Sequence, residues 1–162
     1  MSIDKIINAM EESKIGIDKI LKNDVLIRDI QKASELIEKT ITNESRIFSC
    51  GNGGSMCDAM HFAEELSGRF RENRRGLPAI SISDPSYLTC VANDFGFENV
   101  FSRFMEANSQ KGDLLLAIST SGRSRNILKV CEYCSNNDIF VITLTGRENS
   151  EVSNFSDIDI CT

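Results

Sequence analysis

The sequence predicts an α/β fold: a three-layer αβα sandwich around a central five-stranded parallel sheet, preceded by two N-terminal helices. Three observations carry this expectation. Apolar residues recur at helical spacing through residues 1–43. Beyond that stretch the period changes to short, nearly unbroken apolar runs, each the length of a strand and most followed by Gly, Ser, Asn or Asp. The segments between those runs read as helices. Unbroken apolar strands alternating with helices imply a parallel sheet covered on both faces.

Taken in order, Ile3, Ile6, Ile7, Met10, Ile17, Ile20 and Leu21 mark a first helix over 3–21, which Gly16 weakens locally. Asp24 is placed to cap a second helix that aligns Val25, Ile30, Ile37 and Ile41. Strands are expected at Arg46–Cys50, Ala79–Ile82, Leu114–Ile118, Ile139–Leu144 and Ile158–Cys161, with helices at 55–68, 86–109, 124–136 and 148–155. Pro78 falls at the start of a strand and Pro85 in the first turn of a helix, where each is tolerated. With no linker or repeat, 1–162 reads as a single domain, with N-terminal helices over 1–43 and an αβα core over 44–162. A helix would ordinarily cover the last strand, because a bare edge strand invites mispairing. The expectation is therefore that the natural chain continues past Thr162.

Composition narrows the function. A chain of 162 residues, 41% hydrophobic and 26% charged, is long enough for its own core and excludes disorder, collagen and coiled coil. Its 18 Lys and Arg against 24 Asp and Glu give a net charge of −6, which argues against wrapping nucleic acid or lying on an anionic membrane. A local loop can still bind a small anion. The opening MSIDKIINAM has no secretory h-region, and no apolar run approaches the ~18 residues of a membrane span, so a cytoplasmic location is expected. On that basis Cys50, Cys57, Cys90, Cys131, Cys134 and Cys161 are read as reduced, mostly buried thiols.

Two loops at strand ends carry the chemical signal. In Cys50-Gly51-Asn52-Gly53-Gly54-Ser55, glycines let backbone amides approach a ligand, and Ser55 can cap the next helix. The same pattern also suits a plain tight turn. Met56 stands where a dinucleotide fingerprint needs glycine, and the Gly-Lys-Ser/Thr ending of a Walker loop is absent, so no nucleotide cofactor is expected. In Ser119-Thr120-Ser121-Gly122-Arg123-Ser124, four hydroxyls and a helix start form a cradle suited to a phosphate monoester, with Arg123 and Arg125 adding positive potential. The alternative is a Ser-rich capping turn, but the hydroxyls exceed what one cap needs.

Between these loops stands the only histidine. His61 and Glu65, four apart, share a helix face and can hold a metal or leave Glu65 as a proton acceptor; a solvated face is the third reading. Zinc wants three or four ligands, and the chain offers no second histidine. Asn93 and Asp94 suit sugar hydroxyls or an Asx turn. Arg69, Arg71, Arg74 and Arg75 read as a solvated loop or a subunit contact, and Cys131-Glu132-Tyr133-Cys134 as structural, since it falls mid-helix.

In order along the chain, CGNGGS, CDAMHFAEELSGRFRENR, CVANDFGFENVFSRF and LLLAISTSGRS resemble the phosphoheptose isomerase family of the sugar isomerase (SIS) fold, a flavodoxin-like sandwich. The resemblance extends from the N-terminal helices to the last strand. It implies a homotetramer with active sites between subunits. It also implies interconversion of D-sedoheptulose 7-phosphate and D-glycero-D-manno-heptose 7-phosphate, the first step of ADP- or GDP-heptose biosynthesis for lipopolysaccharide or capsule. Residue by residue, it implies that Asn52, Gly53 and Gly54 contact substrate, and that Ser119, Thr120, Ser121 and Ser124 hold its phosphate. Asn93 and Asp94 would bind near the sugar chain, Glu65 would be the general base, and His61 and Glu65 two ligands of the zinc found in some members. The family's acid histidine and a glutamine lie on a C-terminal helix for which no residue up to Thr162 is a match.

The implied reaction is coherent. A ketose–aldose isomerase moves a proton between neighbouring carbons through an enediol, using a carboxylate near the C–H bond, an acid for the oxygens and a phosphate grip that sets register. Burial would strengthen Glu65 as a base. Two other classes remain open: a non-catalytic module that binds sugar phosphates, and a relative that binds a replication-initiator protein. The presence of both His61 and Glu65 favours catalysis.

Overall fold

The computed structural model describes residues 2–162. Two helices, α1 (Ile3–Leu21) and α2 (Asp24–Thr42), precede β1 (Ile47–Gly51), α3 (Gly54–Ser67), β2 (Ala79–Ser81), α4 (Pro85–Phe95), α5 (Val100–Asn108), β3 (Leu114–Ser119), α6 (Arg125–Asn136), β4 (Phe140–Thr145) and β5 (Ile158–Cys161). The five strands form one sheet in the order β2-β1-β3-β4-β5, and every pairing is parallel.

Every residue of β1 and β3 is buried, as unbroken apolar runs in a doubly covered sheet require. The strand period of two divides the core. Phe48, Cys50, Leu115, Ala117 and Val141 face Val100, Phe101 and Met105 of α5 and Ile127, Val130 and Cys131 of α6. Ile47, Leu114, Leu116, Ile118 and Ile142 face Ala33 and Ile37 of α2 and Ala59 and Phe62 of α3. The two helical layers therefore lie on opposite sides of the sheet.

Three expectations need correction. Asn23, not Asp24, caps α2: its Oδ1 accepts the N–H of Val25 at 3.2 Å and of Leu26 at 3.1 Å. The buried stripe of α2 is consequently Leu26, Ala33 and Thr40, and Val25 and Ile30 face outward. The helix expected over 86–109 breaks at Gly96 (φ 87°), passes through a 3-10 turn at Phe97–Asn99 and restarts as α5. The helix expected over 148–155 is only a 3-10 turn at Val152–Phe155, since its first residues form a loop that packs against the strand-β3 loop.

The cysteines are all free, but only Cys50, Cys131 and Cys134 are buried; Cys57 and Cys90 are exposed. Burial pushes the Cys131 thiol up to about 12 and raises Cys50 and Cys134 as well, so these three are inert core residues. The pair in α6 is structural, as its mid-helix position predicts. Among the described residues no helix is long and apolar enough to cross a membrane.

The first helix is the exception to the packing. It forms over the expected residues but buries none of them. Ile3, Met10 and Leu21 are 74%, 69% and 66% exposed, so its apolar stripe is left uncovered by the other described residues.

Candidate active site

The sheet order creates a crevice. From β1 the chain crosses to β2 on one side, while β3 and β4 extend the sheet on the other. The loop after β1 turns into α3 on one face, and the loop after β3 turns into α6 on the opposite face. Their divergence at the carboxyl ends of adjacent strands is the usual ligand position in such sheets.

In the first loop Gly53 precedes α3 with φ 58° and ψ −122°, so Ser55 lies inside the first turn rather than capping it. Its side chain is thereby left to line the crevice. In the second loop Ser124 occupies the position before α6, yet its hydroxyl makes no capping bond. Ser121 Oγ accepts the Arg123 N–H at 3.3 Å. Ser119, the last residue of β3, is 4% exposed, and its buried Oγ has no hydrogen-bond partner among the described residues. An orphaned buried hydroxyl is costly unless something else satisfies it.

Asn52, Ser55, Ile118, Ser119, Thr120 and Ser124 enclose a cavity of about 60 Å3, the size of a small anion rather than of a sugar ring. The structure thus brings together Asn52 and three of the four expected phosphate hydroxyls, and adds Ser55. Ser121 stands exposed on the same loop.

The second loop is held from behind. Gly122 has φ 61°, and a side chain there would drive its Cβ into that of Ser150, so only glycine fits. The Gly146 N–H donates to the Thr120 carbonyl at 3.2 Å, and the Val152 N–H to that of Gly122 at 3.4 Å. The connection from β4 to β5 therefore braces the hydroxyl-bearing turn.

Across the crevice, the side-chain amides of Asn52 and Asn126 donate to each other at 2.9 and 2.8 Å. Asn126 belongs to the first turn of α6 and is buried. It was not legible as a site residue, because its partner is 74 positions away.

His61 and Glu65 meet as their spacing predicts, with Nε2 and Oε1 3.2 Å apart. Glu64 joins them: the ligand-capable atoms of His61, Glu64 and Glu65 all lie within 4.8 Å of one another. Glu64 was missed, although its i+3 spacing from His61 was a usable signal. The side chains of His61 and Glu65 are 71% and 33% exposed, so this chain alone does not bury Glu65 deeply. Ser55 and Glu65 are separated by ten residues of α3, about 15 Å along the axis. A ligand that joins the cavity to Glu65 within one chain has to be extended.

The last turn of α3, which carries Glu65, is clasped by Arg74. Its guanidinium donates to the carbonyls of Glu65 at 2.8 Å, Leu66 at 2.8 Å and Arg75 at 3.0 Å. The Glu65 and Leu66 carbonyls belong to the last turn of α3, which has no intrahelical donors for them, and a cation there also suits the helix dipole. Arg74 is thus a helix cap rather than a solvated loop residue. Arg74→Met is expected to lower stability by about 1–3 kcal/mol and to speed amide exchange around residues 68–70, measured by urea unfolding and hydrogen exchange.

Asn93 and Asp94 sit on the last turn of α4, exposed, and do not line the cavity. Asn93 Nδ2 donates to Asp94 Oδ1 at 2.8 Å, and the Cys90 thiol donates to Asp94 Oδ2 at 3.6 Å. Their carboxylate and amide are therefore preset on the helix surface rather than in an Asx turn.

Comparison with known proteins agrees with this geometry. Residues 17–146 match the SIS domain family. The phosphoheptose isomerase of Cytophaga hutchinsonii is 48% identical over 155 residues, covering 96% of this chain and 81% of that protein. That of Photorhabdus laumondii is 50% identical over 157 residues, covering 97% and 81%. The solved phosphoheptose isomerase of Francisella tularensis superposes with a TM-score of 0.89 at 33% identity, over 99% of this chain and 86% of that one. The Neisseria gonorrhoeae enzyme gives 0.87 at 32%, over 99% and 85%. With its parallel sheet, its crevice and its similarity to these enzymes along nearly its whole length, the chain belongs to the SIS domain family and, within it, to the phosphoheptose isomerases.

Proposed function

We propose that this isomerase interconverts D-sedoheptulose 7-phosphate and D-glycero-D-manno-heptose 7-phosphate by proton transfer through an enediol. The observation that carries the reading is the cavity of about 60 Å3 ringed by hydroxyls, with the orphaned Ser119 Oγ at its wall. A phosphate oxygen would satisfy that hydroxyl, and Ser55, Thr120, Ser121 and Ser124 would supply further donors. The Asn52, Gly53 and Gly54 backbone would approach the substrate from the other wall, and Asn93 and Asp94 would meet the sugar chain.

With the phosphate fixed, the reacting carbons are held in register for a carboxylate. Glu65 takes the proton from C1 of the ketose and returns it to C2, while the proton of the C1 hydroxyl passes to the C2 oxygen, so that the C2 carbonyl becomes a hydroxyl and C1 becomes the aldehyde. His61, 3.2 Å from Glu65, and Arg74 behind it hold that carboxylate and its helix turn in place. One imidazole and two carboxylates from His61, Glu64 and Glu65 are a donor set suited to zinc, which would polarise the sugar oxygens when bound.

The unpartnered stripe of α1 supports assembly as a homotetramer with sites between subunits. Residues 1–162 act as one domain in the cytoplasm, and the product heptose serves lipopolysaccharide or capsule. A non-catalytic sugar-phosphate module or a replication-initiator partner is not favoured, because the relatives are isomerases and His61 and Glu65 are both in place.

Turnover of sedoheptulose 7-phosphate in D2O tests the reaction, with deuterium expected at C2 of the aldose. Ser121→Ala tests the cradle: it should weaken binding of phosphorylated sugar about tenfold and leave the unphosphorylated sugar unaffected. An equal effect on both would remove the phosphate from this loop.

A further inference from the structure

The two walls of the cavity descend from opposite faces of the sheet, so something has to set the distance between them. Asn52 belongs to the wall that leads into α3, and Asn126 stands in the first turn of α6, just behind the other wall. Their amides form a closed pair, Asn52 Nδ2 to Asn126 Oδ1 at 2.9 Å and Asn126 Nδ2 to Asn52 Oδ1 at 2.8 Å. Asn126 is only 3% exposed, and its Oδ1 also accepts the Ile127 N–H at 3.0 Å. Both acceptor positions of that oxygen are thus used, which holds the Asn126 amide in one orientation against the backbone of α6.

The consequence reaches the cavity. Asn52 lines it, whereas Asn126 does not. The inner oxygen and one N–H of Asn52 are committed to Asn126, so its rotamer is set from the α6 side. Ser124, two residues before Asn126, stands at the start of the same helix and lines the same cavity. One amide pair therefore couples the position of the first loop to that of the hydroxyl-bearing turn.

We infer that Asn126 is a positioning residue: through its reciprocal amide pair with Asn52 it sets the width of the phosphate cavity, and so the affinity for the phosphoryl group of the substrate. This rests on the assignment of the cavity to phosphate. Asn126 acts on the ligand only through Asn52, which separates it from a residue that merely stabilises the core.

Affinity measured on folded protein decides the matter. Inorganic phosphate is titrated by calorimetry into wild type, Asn126→Ala, Asn52→Ala and the double variant, alongside KM and kcat for sedoheptulose 7-phosphate. Asn126→Ala should raise both the dissociation constant for phosphate and KM about tenfold, with kcat changed far less. The double variant should bind phosphate within about twofold of Asn52→Ala alone, because the second substitution has no pair left to break. Independent, multiplying losses would show that Asn126 does not act through Asn52 and would overturn the inference. Unchanged phosphate affinity in Asn126→Ala, with wild type binding normally, would do the same while leaving the cradle intact. Failure of wild type to bind phosphate would instead overturn the cradle. If Asn126→Ala does not fold, Asn126→Ser, which keeps a small polar group in the buried position, replaces it with the same expectations.

Discussion

Glu65→Gln abolishes practical turnover, lowering kcat for sedoheptulose 7-phosphate by about 100- to 10,000-fold, while the sugar phosphate still binds. The amide keeps the size of the carboxylate and can still accept from His61, whose Nε2 lies 3.2 Å from Oε1. Only the capacity to take a proton is lost. Steady-state kinetics beside calorimetric titration of the sugar phosphate separates the two quantities. A parallel fall in affinity and turnover would mean that Glu65 binds rather than transfers, and would withdraw its role as base. The backbone of that turn is held independently by Arg74, so the substitution should not loosen α3.

Ser119→Ala is expected to separate stability from binding. The Ser119 hydroxyl is buried at the end of β3 with no hydrogen-bond partner among the described residues. A buried hydroxyl without a hydrogen bond costs free energy, so deleting it should leave the melting temperature unchanged or raise it by a few degrees. If a phosphate oxygen is the missing partner, affinity for sugar phosphate should fall by about tenfold or more. The stabilisation that ligand confers on wild type, about 2.7 kcal/mol at a hundred times its dissociation constant, should shrink with it. Thermal scans with and without ligand measure both effects. A variant that melts lower and binds as tightly as wild type would show that this hydroxyl serves the fold instead.

Both residues were legible before the structure, for different reasons. Ser119 ends an apolar run and begins a hydroxyl-rich turn, and Glu65 follows His61 by one helical turn; both are local patterns. Asn126 and Arg74 carried no comparable signal. The amide of Asn126 matters only because Asn52 arrives from 74 residues away, and Arg74 matters only because the loop after α3 folds back onto the end of its own helix. The helix expected at 148–155 failed for a related reason. Ser150 is buried against Gly122, so tertiary contact displaced a local preference.

Pattern and composition along the chain were sufficient for the αβα class, the parallel sheet, the strand positions to within a residue or two and the two anion-suited loops. Each depends on neighbours a few positions apart, where periodicity of 2 or 3.6 and the chemistry of Gly, Ser and Pro act directly. The width of the cavity, the orphaned state of Ser119, the clasp of Arg74 and the uncovered stripe of α1 were settled only by the folded chain. They depend on distances between segments far apart in sequence, and those distances exist only once the sheet order has brought β1 beside β3 and sent their loops to opposite faces.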